Sequence, residues 1–164
     1  MKKIAVITCA AAVFGLSGCS MFNGSESLVA PVVPEDAKME DFSNIDESEL
    51  KVVGKYADKY TELFVKAIIK EDYSIISPFL APPLKKQMTE TKFKAMSKHI
   101  KETGGKPGRT QKLDMLKQGL FSTSVYKVEF IKKSKKSTVV NDNLLRMSLG
   151  KLDDNYLIWN VLFD

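Results

Sequence analysis

The chain has 164 residues, with 25 lysines and arginines, 20 acidic residues, two cysteines and a single histidine. That length suits one domain, and so few thiol and imidazole groups exclude a disulfide framework and argue against a transition-metal centre. The net charge of +5 conceals a strong imbalance along the chain.

Lys2 and Lys3 open a segment whose apolar run spans Ile4 to Phe14 and whose exit, Gly15 to Gly18, is rich in small residues. This is the three-part organisation of an export signal. The uncharged stretch 4–18 holds 15 residues, short of the roughly 18–20 that a membrane-spanning helix needs. Leu16-Ser17-Gly18-Cys19 closes it and resembles the lipobox of bacterial lipoprotein precursors. The resemblance implies cleavage between Gly18 and Cys19 and acylation of the Cys19 sulfur by a diacylglycerol of palmitate-type chains. Two or three such chains on one residue anchor a protein stably, where one chain binds only marginally. Ser20 follows; by resemblance to lipoprotein sorting in double-membraned bacteria, a serine there favours the outer membrane, facing the periplasm. Cys9 leaves with the leader, so no free thiol remains for a nucleophile or a metal.

Residues 19–47 read as a lipidated tether. Prolines sit at Pro31 and Pro34, and between positions 20 and 47 seven acids face one base, a net charge of −6. Such a composition buries too little to offset its conformational entropy, which predicts disorder. The remainder, 48–164, carries 22 bases against 13 acids, a net +9.

Glu49 to Lys70 reads as a helix, because Leu50, Val53, Ala57, Tyr60, Phe64, Ala67 and Ile68 recur at three- and four-residue steps. Asp46, with Glu49 three residues on, resembles a capping box. Ser77-Pro78 and Pro82-Pro83 predict short, kinked helices between Tyr73 and Met88. A third helix is predicted from Thr89 to Glu102, with Phe93, Met96 and Ile100 inward, and Gly104-Gly105-Lys106-Pro107-Gly108 reads as a flexible connection ending the helical half. Strands follow at Leu113–Gly119 and Ser122–Lys133, and then at Thr138–Gly150, with an irregularity expected at Asn141-Asp142-Asn143. The last strand is Tyr156–Phe163, where strict alternation sets Leu157, Trp159, Val161 and Phe163 on one face. Helices followed by consecutive hairpins predict an α+β fold, with helices on one face of a curved antiparallel sheet of about four strands.

Val65-Lys66-Ala67-Ile68-Ile69-Lys70-Glu71-Asp72 in the long helix and Asp153-Asp154-Asn155-Tyr156-Leu157-Ile158-Trp159 near the end carry a further resemblance. With this order of elements, 48–164 is similar to the nuclear transport factor 2-like, cystatin-type cone, closest to small exported bacterial domains of unknown function. That family includes ketosteroid isomerases, polyketide cyclases and many domains without catalytic role, so the resemblance leaves activity open.

An isomerase-like site would need a buried acid and a phenol at the cone's mouth. Tyr56, Tyr60, His99 and Trp159 are the candidate pocket residues. His99 lacks an obvious orienting carboxylate other than Glu102, three residues on, and reads more simply as a helix-end residue complementing the macrodipole. Glu129, the mid-strand carboxylate, faces away from Tyr126, Val128 and Phe130, where a cross-strand ion pair accounts for it. The glycines at 104, 105 and 108 lack the Gly-Lys-Ser/Thr ending of a phosphate loop. No catalytic residue and no cofactor is therefore assigned. Lys132, Lys133, Lys135 and Lys136 form a basic hairpin tip suited to a diffuse anionic surface, and the excess of lysine over arginine argues against bidentate phosphate recognition.

These features predict an envelope lipoprotein. Its partners would be the bilayer, through acylated Cys19, and an envelope protein or anionic polymer, not nucleic acid. The leading reading is a non-catalytic binding module; a small-molecule binder or isomerase-like enzyme and an electrostatic binder of anionic polymer remain the alternatives. Labelling with a clickable fatty acid should mark the native chain and leave Cys19→Ala unmarked. A mature product that retains residues 1–18 would refute the leader.

Overall fold

The computed structural model describes residues 38–134 and 137–163. Gly18 and Cys19, with the leader, and Lys135 and Lys136 lie outside them. Within the described residues the fold is α+β, as the order of elements predicts: helices α1 (Glu47–Lys70), α2 (Pro82–Gln87) and α3 (Glu90–Thr103) precede four strands. These strands, β1 (Lys106–Gln118), β2 (Phe121–Lys133), β3 (Thr138–Leu152) and β4 (Asn155–Phe163), form one antiparallel meander in sequence order, and the helices cover one face.

The helix α1 starts where its cap dictates. Asp46 Oδ1 accepts the Glu49 N–H at 2.8 Å, Glu47 and Glu49 lie in the first turn, and Lys70 lies in the last. At 24 residues it runs about 36 Å across the sheet. Its buried stripe of Val53, Ala57, Tyr60, Phe64, Ala67 and Ile68 meets the alternate residues Tyr126, Val128 and Phe130 of β2 and Leu145, Met147 and Leu149 of β3. Phe64 centres this layer, 6.1 Å from both Phe93 and Phe163, and Phe130 lies 6.0 Å from Phe163. No helix among the described residues is long and apolar enough to cross a membrane.

Four details depart from the sequence pattern. First, the folded unit includes part of the expected tether. Met39 bridges Leu152, the Phe42 N–H donates to Gly119 O at 2.7 Å, and Phe42 is fully buried. Phe42 and Ile45 supply enough apolar burial to order this stretch, and Glu40 meets Lys151 at 2.5 Å, so its acids do not force it free. Second, the glycine-rich stretch is no loose connection, because β1 already begins at Lys106, opposite Ile131. Third, Asn141, Asp142 and Asn143 continue a regular register opposite Phe130, Glu129 and Val128.

The fourth departure is a bulge in β4. Ser148 lies opposite Asn160 while Leu149 lies opposite Ile158, which leaves Trp159 as the extra residue. Tyr156 and Ile158 before the bulge, and Val161 and Phe163 after it, all pack toward the helices. The Trp159 indole is displaced to the opposite face, against Phe121 at 5.6 Å and over Gly150, whose added Cβ would meet its Nε1 at 2.8 Å.

Gly105 holds the corner where α3 hands the chain to the sheet. Its φ is +100° and an added Cβ would lie 2.6 Å from the Ile131 carbonyl oxygen, which is backbone and cannot step aside. Gly105→Ala should therefore cost about 2 kcal/mol or more by urea denaturation, whereas Gly108→Ala, with ordinary contacts from 3.4 Å, should stay within about 0.5 kcal/mol.

Candidate functional site

The candidate pocket residues do not converge. Tyr56 and Tyr60 neighbour each other on α1 with ring centroids 5.9 Å apart, and Tyr56 lies 4.8 Å from Tyr156. This aromatic patch seals the seam between α1 and β4. The Tyr60 hydroxyl donates to Tyr156 O at 2.9 Å, and the Tyr156 hydroxyl donates to Glu49 Oε1 at 3.2 Å. The Tyr126 hydroxyl donates to Asp58 Oδ1 at 2.8 Å, and Lys112 Nζ sits 3.2 Å from the same carboxylate. Burial, reinforced by Asp58, raises the Tyr126 phenol well above its ordinary range. Burial and the Glu49 charge push Tyr156 up to about 12. Burial, then Tyr56, raises Tyr60. None of these three phenols is a proton donor poised near neutrality, the condition for efficient acid–base work.

His99 lies on the exposed side of α3, at the other end of α1's span from Tyr156. Its carbonyl accepts from Thr103 Oγ1 at 2.8 Å, and Glu102 turns instead to Lys98, 3.9 Å away. No carboxylate among the described residues orients the imidazole. It lines a cavity of about 170 Å³ with Ile100, Thr103, Gly104, Phe130, Asn143 and Phe163. Trp159, on the far face of the sheet, shares nothing with this cavity.

Nor is an acid buried anywhere among the described residues; the buried polar side chains are Thr61, Ser97, Ser122 and Ser124. Glu129 faces away from the helices as its position in β2 implies, but the expected cross-strand ion pair is made by its neighbour. Lys127 reaches Asp142 at 2.8 Å, and that contact raises the lysine's pKa. Among the described residues, no three His, Cys, Asp or Glu side chains gather as a metal site would require.

The fold unites two lysine groups that are far apart in sequence. Lys101 and Lys106, from the end of α3 and the start of β1, share a groove with Lys132 and Lys133 of β2, floored by Gly105, Pro107, Gly108 and Ile131. Lys132 Nζ donates to the Glu102 and Thr103 carbonyls at 2.9 and 3.4 Å, satisfying the end of α3. Lys101 pairs with Glu71, and its proximity lowers the Glu71 pKa. Lys106 and Lys133 meet no carboxylate among the described residues.

The residues that sequence reasoning missed line the cavity beside His99. Phe130, Asn143 and Phe163 converge there because β3 runs 15 residues while β4 runs nine. The unequal lengths of the last two predicted strands were the available signal. No family model matches the chain, and no curated protein matches it at a significant level.

The raised phenols fix the sign of an alkaline effect. A proton held more tightly in the folded chain contributes stability that is complete below about pH 10, the unfolded value, and is lost as pH rises through the folded one. Urea midpoints should hold near pH 9 and fall toward about pH 11.5. Tyr156→Phe should start lower, having lost its bond to Glu49, and then fall less steeply.

Proposed function

We propose that the protein is a lipid-anchored, non-catalytic binding module of the cell envelope, held at the outer membrane through acylated Cys19 and facing the periplasm. The observation that carries this reading is the filled interior. Phe64, Phe93, Phe130 and Phe163 occupy the space between helices and sheet where a ligand of this class of fold would otherwise sit. The hollow left between α3 and the sheet, about 170 Å³, is below the roughly 300 Å³ at which small-molecule sites begin, and the larger one, about 770 Å³, is the open lysine-lined groove at the surface. An isomerase-like mechanism needs a buried acid beside a free phenol, and the phenols of Tyr60, Tyr126 and Tyr156 already bond to protein acceptors. Function then falls to the surface.

Whole-cell crosslinking followed by mass spectrometry should recover an envelope protein joined to the native chain, and the adduct should vanish with Cys19→Ala. An absence of any protein adduct would overturn the reading. The Lys101, Lys106, Lys132 and Lys133 groove favours a second one, attachment to an anionic envelope polymer. In that case binding to purified sacculi should fall steeply between about 50 and 300 mM salt, and binding indifferent to salt rules it out.

A further inference from the structure

β4 stops covering β3 partway along. Leu145 lies opposite Phe163, and from Thr138 to Leu144 the β3 backbone has β2 on one side and no strand on the other among the described residues. That open edge is about 23 Å long. Natural edges are usually blunted by lysine, proline or a bulge, yet this one has none of the three. Its register against β2 is unbroken, and Asp142, its single charge, is tied across the sheet to Lys127 at 2.8 Å. Val139, Val140 and Leu144 stand 47%, 56% and 40% exposed along it.

The cavity lies beside this edge on the helix side. Ile100, Phe130 and Phe163 give it apolar walls, while His99, Thr103 and Asn143 give it a polar rim. A strand laid in the track of β4 beyond Phe163 would turn alternate side chains toward this hollow. Its volume, about 170 Å³, suits one aromatic side chain, since an apolar cavity of about 150 Å³ admits benzene.

We propose that an extended, acidic segment of a partner protein adds to the Thr138–Leu144 edge of β3 as a strand, seating one bulky apolar side chain between Ile100, Phe130 and Phe163. Main-chain hydrogen bonds would supply affinity and the hollow specificity, as in other strand-addition modes. Charge selects an acidic occupant. Lys133 lies opposite Thr138, one strand in from the edge, and meets no carboxylate among the described residues. A second copy of this chain fits less well. An antiparallel self-pairing that keeps both sets of helices on one side would aim Val139, Asn141 and Asn143 at the hollow, and none of these fills it.

The proposal rests on the reading of a non-catalytic binding module and names its site. The test uses a fluorescein-labelled peptide, Glu-Thr-Glu-Val-Phe-Val-Thr-Glu, with fluorescence anisotropy on the intact domain. Replacing its phenylalanine by alanine, or N-methylating alternate amides, should each weaken binding at least about tenfold. Lysine in place of its glutamates should do the same. Asn143→Trp, which fills the hollow from the sheet, and Thr103→Trp, which fills it from α3, should each match the loss seen with the alanine peptide. On binding, hydrogen exchange should slow within Thr138–Leu144. Three results would overturn the proposal: alanine and N-methylated peptides that bind within about twofold of the parent, protection elsewhere on the chain, or no binding by any peptide at about 1 mM. A dimer of the free protein with this edge already protected would assign it to a second copy instead. If whole-cell crosslinking still recovers a partner while the edge stays unprotected, the binding-module reading survives and only its location falls.

Discussion

Phe64 sits where α1 crosses the sheet, stacked on Phe163 and edge-on to Phe93. Each ring meets another of the set, with Phe130 closing the group against Phe163. Burying these rings contributes several kcal/mol, and aromatic pairs add about 0.5–1.5 kcal/mol each beyond area alone. The same contacts fill most of the space between helices and sheet. A fold of this kind can be hollow or packed, and here the rings have packed it. That packing is what favours the proposed role at edges and grooves over one in an interior pocket.

Polar chemistry follows the same division. Tyrosine hydroxyls that reach the apolar layer are satisfied within the fold: Tyr60 on a β4 carbonyl, Tyr126 on Asp58 and Tyr156 on Glu49. Each bond ties α1 to the sheet at a point where a bare hydroxyl would cost about 1–3 kcal/mol. Lys112, Lys132 and Lys151 are likewise drawn into the structure, the first and last beside Asp58 and Glu49 and the second over the end of α3. Lys106 and Lys133, which meet no carboxylate among the described residues, lie in the groove where α3 meets the sheet.

Local chemistry made much of the architecture legible. Asp46 marks the start of α1 because a carboxylate there answers orphan N–H groups, whatever the rest of the chain does. The alternation of Tyr126, Val128 and Phe130 marks β2 because a pleated strand with one buried face admits no other spacing. Other features were hidden because their cause lies in distant residues. The bulge at Trp159 breaks an alternation that looks regular in sequence, and only the pairing of β3 with β4 shows the extra residue. Phe42 looks like an isolated apolar residue in an acidic stretch until the turn at Gly119 and the ring of Tyr156 surround it.

From residues alone came the expectation of an export leader ending at Cys19, the acidic-to-basic change along the chain, and the succession of helices and hairpins; these are properties of neighbours in sequence. Tertiary structure decided that the interior is largely filled, that His99 and Trp159 lie apart from the Tyr56–Tyr60 pair, and that lysines from α3 and β2 share one groove. It also decided where β4 leaves β3 bare. Such outcomes depend on which side chains meet across tens of residues, and one-dimensional spacing carries no record of those meetings.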